Sequence, residues 1–332
     1  MTSTRGGTGE VIVSISIDTE EDDWASYAAQ GASVRNIQRL PELQECFQRW
    51  GARPSYLVNR PPLLDADSVE VLGELARTEG VEIGAHCHPW NTPPFADDGA
   101  HRSMMCAFSD AANRAKLAEI RRCHHSELGN EPTTFKAGRW GMGPSVARPL
   151  AALGFEVDCS VTPLIDWTPE TGPDYLDAPH QPYRFRPDAP LLRDLLGTMV
   201  EMPSTVGYLS GDPRRREGVR RWIEGSPLRR AKVLGIADRT GLLARRWLSP
   251  ETSSGDTMAR LADACVSRGA SFLQLTFHSC ALLPGSTPFV RDEHDRRKFL
   301  GAVDRLLSHC SNSGFTFKTL RESGREIHRW HA

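Results

Sequence analysis

Residues 11–22 read VIVSISIDTEED, an apolar, β-branched run of strand length that stops at Asp18 and gives way to a burst of acid. Five carboxylates fall within six positions: Asp18, Glu20, Glu21, Asp22 and Asp23. Short runs of the same β-rich kind recur at Pro54–Val58, Val81–His86, Thr133–Ala137, Phe155–Cys159, Met199–Pro203 and Ser271–His278, with a last one at Phe315–Leu320. Stretches of helical period lie between them, clearest at Ser109–Leu128, Asp256–Arg268 and Asp292–Cys310. Strand-helix alternation of this kind predicts βαβ units and a parallel sheet. Over 332 residues, an α/β barrel of about seven or eight strands fits this rhythm better than two separate domains.

Composition narrows the function classes. Apolar residues make up 39% of the chain and charged residues 25%, with 40 basic against 42 acidic side chains. That balance excludes a disordered chain, a collagen and a strongly basic nucleic-acid binder. The sequence holds no apolar run long enough to span a membrane. The opening MTSTRGGTGE lacks the apolar core of a secretion signal, so a cytoplasmic protein is expected. The eight cysteines are scattered without a C-x-x-C pair, which reads as reduced thiols and excludes a zinc ribbon. One segment departs from the rhythm: Asp212–Pro250 carries ten Arg and one Lys against four acidic residues. It reads as an insertion at about 205–255 in a single 1–332 domain, either a solvated helical excursion or an anion-facing lid.

The polar residues that stand out follow strands. His86-Cys87-His88-Pro89-Trp90 follows the third, Gly138-Arg139-Trp140-Gly141 the fourth, Asp158 and Ser160 close the fifth, and His278 ends the strand LQLTFHS. In parallel barrels the C-terminal strand ends meet at one mouth, where active sites are built. The acidic run is either a solvated turn at a helix start or part of that mouth. Carboxylates so close repel one another unless a cation lies between them. His86 and His88, two apart on an extended segment, point to one face, and imidazoles beside carboxylate suit zinc or a related divalent ion. His278 is either a satisfied core residue or a proton donor in the site. Trp24, Trp90, Trp140 and Trp167, at or just after strand ends, either stack on a sugar face or fill space as ordinary bulk. Trp24, Trp90, Trp140 and Asp158 are the expected substrate contacts, and Arg139 is expected to bind a substrate oxygen or orient Asp18. His124, His125 and His309 read as surface residues.

Taken together, these stretches resemble the polysaccharide deacetylases, the NodB-homology or carbohydrate esterase 4 group. Ser16-Ile17-Asp18-Thr19-Glu20 resembles its first, acidic motif, and Glu82-Ile83-Gly84-Ala85-His86 matches the strand leading into its histidine pair. Phe135–Gly141 resembles its arginine loop, Glu201-Met202-Pro203 a later strand motif, and Leu275-Thr276-Phe277-His278 its closing histidine motif. The family's second histidine stands four residues after the first. Here that position is Trp90, and His88 substitutes, as in a divergent H-x-H-P-W subgroup.

The resemblance implies a distorted (β/α)7 barrel and a metal-dependent hydrolase that removes an N-acetyl or other N-acyl group from an amino sugar or sugar-containing metabolite. It implies a divalent ion, with Zn2+ the first expectation and Ni2+, Co2+ or Mn2+ alternatives, on Glu20, His86 and His88. Asp18 would be the base and His278 the acid, the roles of Asp18 and Glu20 being exchangeable. The expected partner is an N-acetylated small molecule or oligosaccharide, with neither nucleic acid nor membrane involved. A catalytically silent carbohydrate-binding barrel and a metal-dependent hydrolase of another C–N or ester bond are the competing readings.

Overall fold

The two faces of strand β1 (Ile12–Thr19) carry different chemistry, and that difference organises the fold. Val13, Ile15 and Ile17 belong to a buried outer layer with Leu40, Leu43 and Phe47 of the helix Leu40–Arg49. The alternate positions face the barrel interior. Ile12 packs there with Leu57, Val157, Val200 and Phe272. Ser14 Oγ meets Ser323 Oγ at 2.9 Å, and Ser16 Oγ accepts from Gln274 Nε2 at 3.0 Å. Asp18 continues that interior row at the strand's C-terminal end. Parallel strands covered on both sides are built this way.

The computed structural model describes residues 10–22, 24, 26–95, 103–226 and 243–330. Around β1 the main sheet adds β2 (Pro54–Val58), β3 (Glu82–Cys87), β4 (Thr134–Ala137), β5 (Val157–Asp158), β6 (Tyr183–Phe185), β7 (Met199–Glu201), β10 (Phe272–His278) and β11 (Thr316–Phe317). Its order is β10-β1-β2-β3-β4-β5-β7-β6, with β11 also on β1. All pairs are parallel except β6 with β7. The result is an α/β architecture with a curled half-barrel sheet, as expected for a distorted (β/α)7 barrel. The helix Leu320–Trp330 packs Leu320 and Ile327 into the interior cluster. Gly324 permits its close approach, because a Cβ there would meet Val157 Cγ2 at 2.5 Å.

Among the described residues no strand ladder joins β6 to β10, so β10 has a free edge that must be satisfied in another way. Side chains and single carbonyls do this at every second residue. Phe272 N–H donates to Gln181 Oε1 (3.0 Å), Gln274 N–H to Thr205 Oγ1 (2.8 Å), Thr276 N–H to Leu248 O (3.0 Å) and His278 N–H to Glu251 Oε1 (3.0 Å). Three of these partners flank or belong to the insertion, where the short antiparallel pair β8 (Val206–Gly207) and β9 (Arg246–Trp247) sits. Thr205, Leu248 and Glu251 thus cover the edge of β10 that no strand pairs.

Several strand boundaries differ from expectation. The run at Phe155–Cys159 yields only Val157–Asp158, and that at Met199–Pro203 ends at Glu201 before a proline that cannot donate to a ladder. Phe315–Leu320 shortens to Thr316–Phe317, because Leu320 opens a helix whose first N–H donates to Ser55 Oγ (3.0 Å). In the insertion, Asp212 caps the helix Pro213–Glu224. Arg221 pairs with Asp177 (3.1 Å), Arg220 with Glu224 (3.2 Å), and Arg245 grips the buried Glu217 (2.6 Å). Residues 227–242 lie outside the described residues, and with them part of the arginine-rich stretch. No described helix is long and apolar enough to cross a membrane.

One histidine departs from its expected place. His125 is on the surface against Glu131 (2.9 Å), and His309 contacts Asp263 (2.8 Å). His124, however, is fully buried on the same face of the helix Asp110–Leu128 as Leu117 and Ile120, with Nε2 on Val58 O at 3.2 Å. Burial disfavours its charged form and lowers its pKa from 6.5 to about 4. Below pH about 6.5 the unfolded chain takes up a proton that the folded chain refuses until about pH 4. Stability from this site is complete above that window and is lost as pH falls through it, by roughly 3 kcal/mol. Denaturant titrations at pH 7 and pH 4 should show this acid loss in the wild type and a smaller one in His124→Gln. Equal losses would contradict the assignment.

Candidate metal centre and catalytic cavity

The strand ends deliver their side chains in register. Asp18 on β1 is paired with His278 on β10, and His86 on β3 with Lys136 on β4. Beyond Asp18 the chain turns so that Glu20 stays at the mouth. Its N–H donates to Ser279 Oγ (3.1 Å), and the Cys280 thiol contacts its Oε1 (3.6 Å), leaving Oε2 toward the histidines. Glu20 Oε2 is 3.4 Å from His86 Nε2 and 3.1 Å from His88 Nε2, and the two Nε2 atoms are 2.9 Å apart.

The other ring nitrogens decide which atoms are free. His86 Nδ1 faces Lys136 O at 2.9 Å, an atom that only accepts, so Nδ1 carries the proton. His88 Nδ1 faces Glu21 Oε1 at 2.9 Å, with the same consequence. Two imidazole lone pairs and a carboxylate oxygen therefore converge on one point, an arrangement that requires a positive charge between them. Burial alone would depress the His88 pKa, but Glu21 and Glu20 outweigh it and raise the pKa to about 10. The field that holds a proton on His88 equally favours a divalent cation. Two imidazoles with one carboxylate make a donor set suited to zinc, and ligands about 2.0–2.1 Å from a tetrahedral ion stand roughly 3.4 Å apart. Glu20, His86 and His88 are a group able to hold such an ion.

Asp18 lies beside this group. Its Oδ1 accepts from Lys136 Nζ at 2.8 Å, and its Oδ2 is 3.5 Å from His278 Nε2. Burial opposes the charged carboxylate, but Lys136, His86 and His278 overcome it and hold the pKa below the ordinary value. His278 Nδ1 is held by Glu251 at 2.9 Å, which leaves Nε2 facing Asp18 and the cavity. Burial would lower the His278 pKa, yet Glu251, Glu20 and Asp18 raise it to about 9.

Above these groups is a cavity of about 480 Å³. Asp18, Glu20, His86, His88, His278, Arg139, Trp24, Trp90 and Trp140 all line it. Asp158 does not. Val157 and Cys159 take the interior positions of their strand, so Asp158 points outward, fully buried, to Ser160 Oγ (2.7 Å) and toward Glu201. Arg139 contacts Ser103 and Glu170, and Lys136 takes the place beside Asp18. A Cβ at Gly138 would meet His88 Cδ2 at 2.5 Å, so the turn passes against the histidine. Arg139 and Trp140 follow in left-handed conformations (φ 51° and 55°), the kind of backbone strain found at functional sites.

Three groups escaped the sequence reading. Lys136 could have been recognised as a charge inside a buried strand. Glu21 was one acid among five. Glu251 had no motif. Of the other acids, Asp22 turns away to accept from Ser33 Oγ (2.6 Å) and Asn36 N–H (2.9 Å), and Asp23 lies outside the described residues.

No family model matches the chain, and no curated protein matches it in sequence. A candidate polysaccharide deacetylase from Mycobacterium smegmatis, solved by crystallography, superposes with a TM-score of 0.57 at 14% identity, covering 99% of this chain and 93% of that one. The fold is that of the polysaccharide deacetylases. More distant are a family 4 acetyl xylan esterase from Clostridium thermocellum with a cobalt ion (TM-score 0.44, 11% identity, 94% and 89% covered) and a peptidoglycan deacetylase from Bacillus subtilis (0.43, 10%, 98% and 95%). What the chain shares with the first of these structures is its fold, at a sequence identity where site residues must be argued from this chain's own geometry.

Glu21 organises the part of the deacetylase-fold site that departs most from the expected motif. Besides His88 it accepts from Asn59 Nδ2 (2.6 Å), Asn91 Nδ2 (3.0 Å) and Trp90 Nε1 (3.3 Å). The Lys116 ammonium secures the same loop through the carbonyls of Pro89, Thr92 and Pro94 at 2.7–2.8 Å. Groups that orient a ligating histidine typically contribute 10–100-fold to metal affinity. If the Glu20–His86–His88 group holds a divalent ion, Glu21→Gln is expected to weaken its binding by about 10–100-fold in a chelator competition. Unchanged affinity would remove Glu21 from this role.

Proposed function

We propose that this chain is a metal-dependent amide hydrolase that removes an acyl group, acetyl above all, from the nitrogen of a compact amino compound, with amino sugars included by the resemblance. The observation that carries this reading is the adjacency of a convergent Glu20–His86–His88 group to two oppositely tuned pairs, Asp18–Lys136 and His278–Glu251. A divalent ion, zinc first, would polarise the acyl carbonyl and acidify the attacking water. Lys136 occupies Asp18 Oδ1 and keeps the carboxylate ionised, so Oδ2 is available to take a proton from that water. Glu251 holds the proton on His278 Nδ1 and supports the imidazolium, whose Nε2–H is given to the departing nitrogen. Water oxygen bonds to the acyl carbon, the C–N bond breaks, and the products are a carboxylic acid and an amine. The proton gained by Asp18 and the one lost by His278 return both groups to their starting states through solvent.

A silent binding barrel has no use for this division between a carboxylate kept charged and a histidine kept protonated, and pairs of groups pushed apart in this way mark acid and base roles. The test is amine release from a panel of N-acetyl compounds, with metal content measured on the same samples. Asp18→Asn should keep its metal and lose about 10²–10⁴-fold in kcat, whereas the double variant His86→Ala, His88→Ala should lose the metal. Full turnover in both variants would contradict the mechanism.

A further inference from the structure

Resting on the hydrolase reading, we infer that the leaving amine carries a flat, apolar, uncharged group, an aryl or heteroaryl ring, and that the cavity takes one such unit and excludes a sugar chain. His278 fixes where the leaving nitrogen must stand, because the acid has to reach it. The side chains around His278 then decide what can be attached to that nitrogen, and they are aromatic. Trp24 stands edge-on to His278 at 4.8 Å between ring centroids and Trp140 at 6.1 Å. Phe289 backs Trp24 at 5.4 Å, while Trp167 stacks on Trp140 (4.7 Å, 9°) and Trp247 meets its face (5.6 Å, 66°). All five line the cavity, forming two apolar walls on the leaving-group side. Rings in such surroundings gain from edge-to-face and offset contacts beyond simple burial.

Charge argues the same way. Within the cavity, Arg139 is paired with Glu170, and the carboxylates of Glu21 and Glu251 with His88 and His278. No described arginine from 205–255 lines the cavity, and the cations that do, Arg139 and His278, already face Glu170 and Glu251, so the described walls offer a phosphate-bearing substrate no unpaired cation. Two hydroxyls of the lining are also committed: Thr276 Oγ1 accepts from Lys136, and Ser249 Oγ contacts Glu251. The buried indole N–H of Trp140 has no hydrogen-bond partner. A sugar unit brings several hydroxyls that must exchange water for protein partners, and burying them unpaired is costly. A cavity of about 480 Å³ suits one small molecule.

Binding and turnover are tested separately so that the two readings can fail separately. Zinc-loaded Asp18→Asn protein, its fold checked against wild type by circular dichroism, is titrated calorimetrically with acetanilide, N-acetyltryptamine, N-acetylglucosamine and its tetramer. Wild type is assayed for amine release from the same four. An aromatic amide is expected to bind about tenfold or more tightly than either sugar and to be the better substrate by kcat/KM. Trp247→Ala should raise its Kd about tenfold, and Trp247→Phe, which restores a flat ring, should recover most of that loss. Tighter binding or faster deacetylation of the sugars, or an aromatic-amide Kd indifferent to Trp247→Ala, overturns the inference. Aromatic amides that bind as predicted while none of the four releases amine from zinc-loaded wild type would overturn the hydrolase reading and leave the binding preference standing.

Discussion

One ammonium group inside the barrel ties the chemistry together. Lys136 Nζ, fully buried, bonds Asp18 on β1 and Thr276 on β10, both at 2.8 Å, while the carbonyl of the same residue sets the tautomer of His86. Asp18, the strand that carries His278, and His86 are thereby positioned by a single residue of β4. Burial alone would push Lys136 toward neutrality, but Asp18 prevails and keeps it charged. Such a pair contributes little net stability, yet removing one member leaves an uncompensated buried charge, at a cost of about 3–5 kcal/mol. The barrel therefore tolerates the charge of Lys136 only while Asp18 is ionised, which is the state a general base needs.

The second constraint is the gap beside β10. A closed ring of strands would pair that edge uniformly and leave no room for side chains between strands. Here the edge is capped by Gln181, Thr205, Leu248 and Glu251 in succession, and the last cap is also the partner of His278 Nδ1. Incomplete closure thus admits a carboxylate beside His278. The aromatic walls gather at the same end, since Trp247 lies on β9 beside Leu248 and Trp24 beside His278.

Much of the site was legible because parallel strands turn their C-terminal ends to one mouth, so Asp18, Glu20, His86, His88 and His278 could be grouped by position alone. Two-residue alternation, which put His86 and His88 on one face, carries further along the other strands. It separates Lys136, on the interior face, from Asp158, whose neighbours Val157 and Cys159 take the interior positions and send it outward. His124 was concealed by its pairing with His125, though helical phase aligns it with Leu117 and Ile120. Glu251 was beyond reach, since no local pattern reports that the loop carrying it returns to the edge of β10. Strands of two or three residues, such as β5 and β6, exist through their neighbours and leave little periodicity to read.

The proposed chemistry needs a divalent ion on Glu20, His86 and His88, held through two Nε2 nitrogens and a single carboxylate. X-ray absorption at the zinc edge of the zinc-loaded protein tests this directly. The spectrum should show two imidazole nitrogens with oxygen completing the shell at about 2.0–2.1 Å, and no sulfur near about 2.3 Å despite the adjacent Cys280. A sulfur shell, or a coordination sphere without imidazole, would contradict the site and the chemistry built upon it.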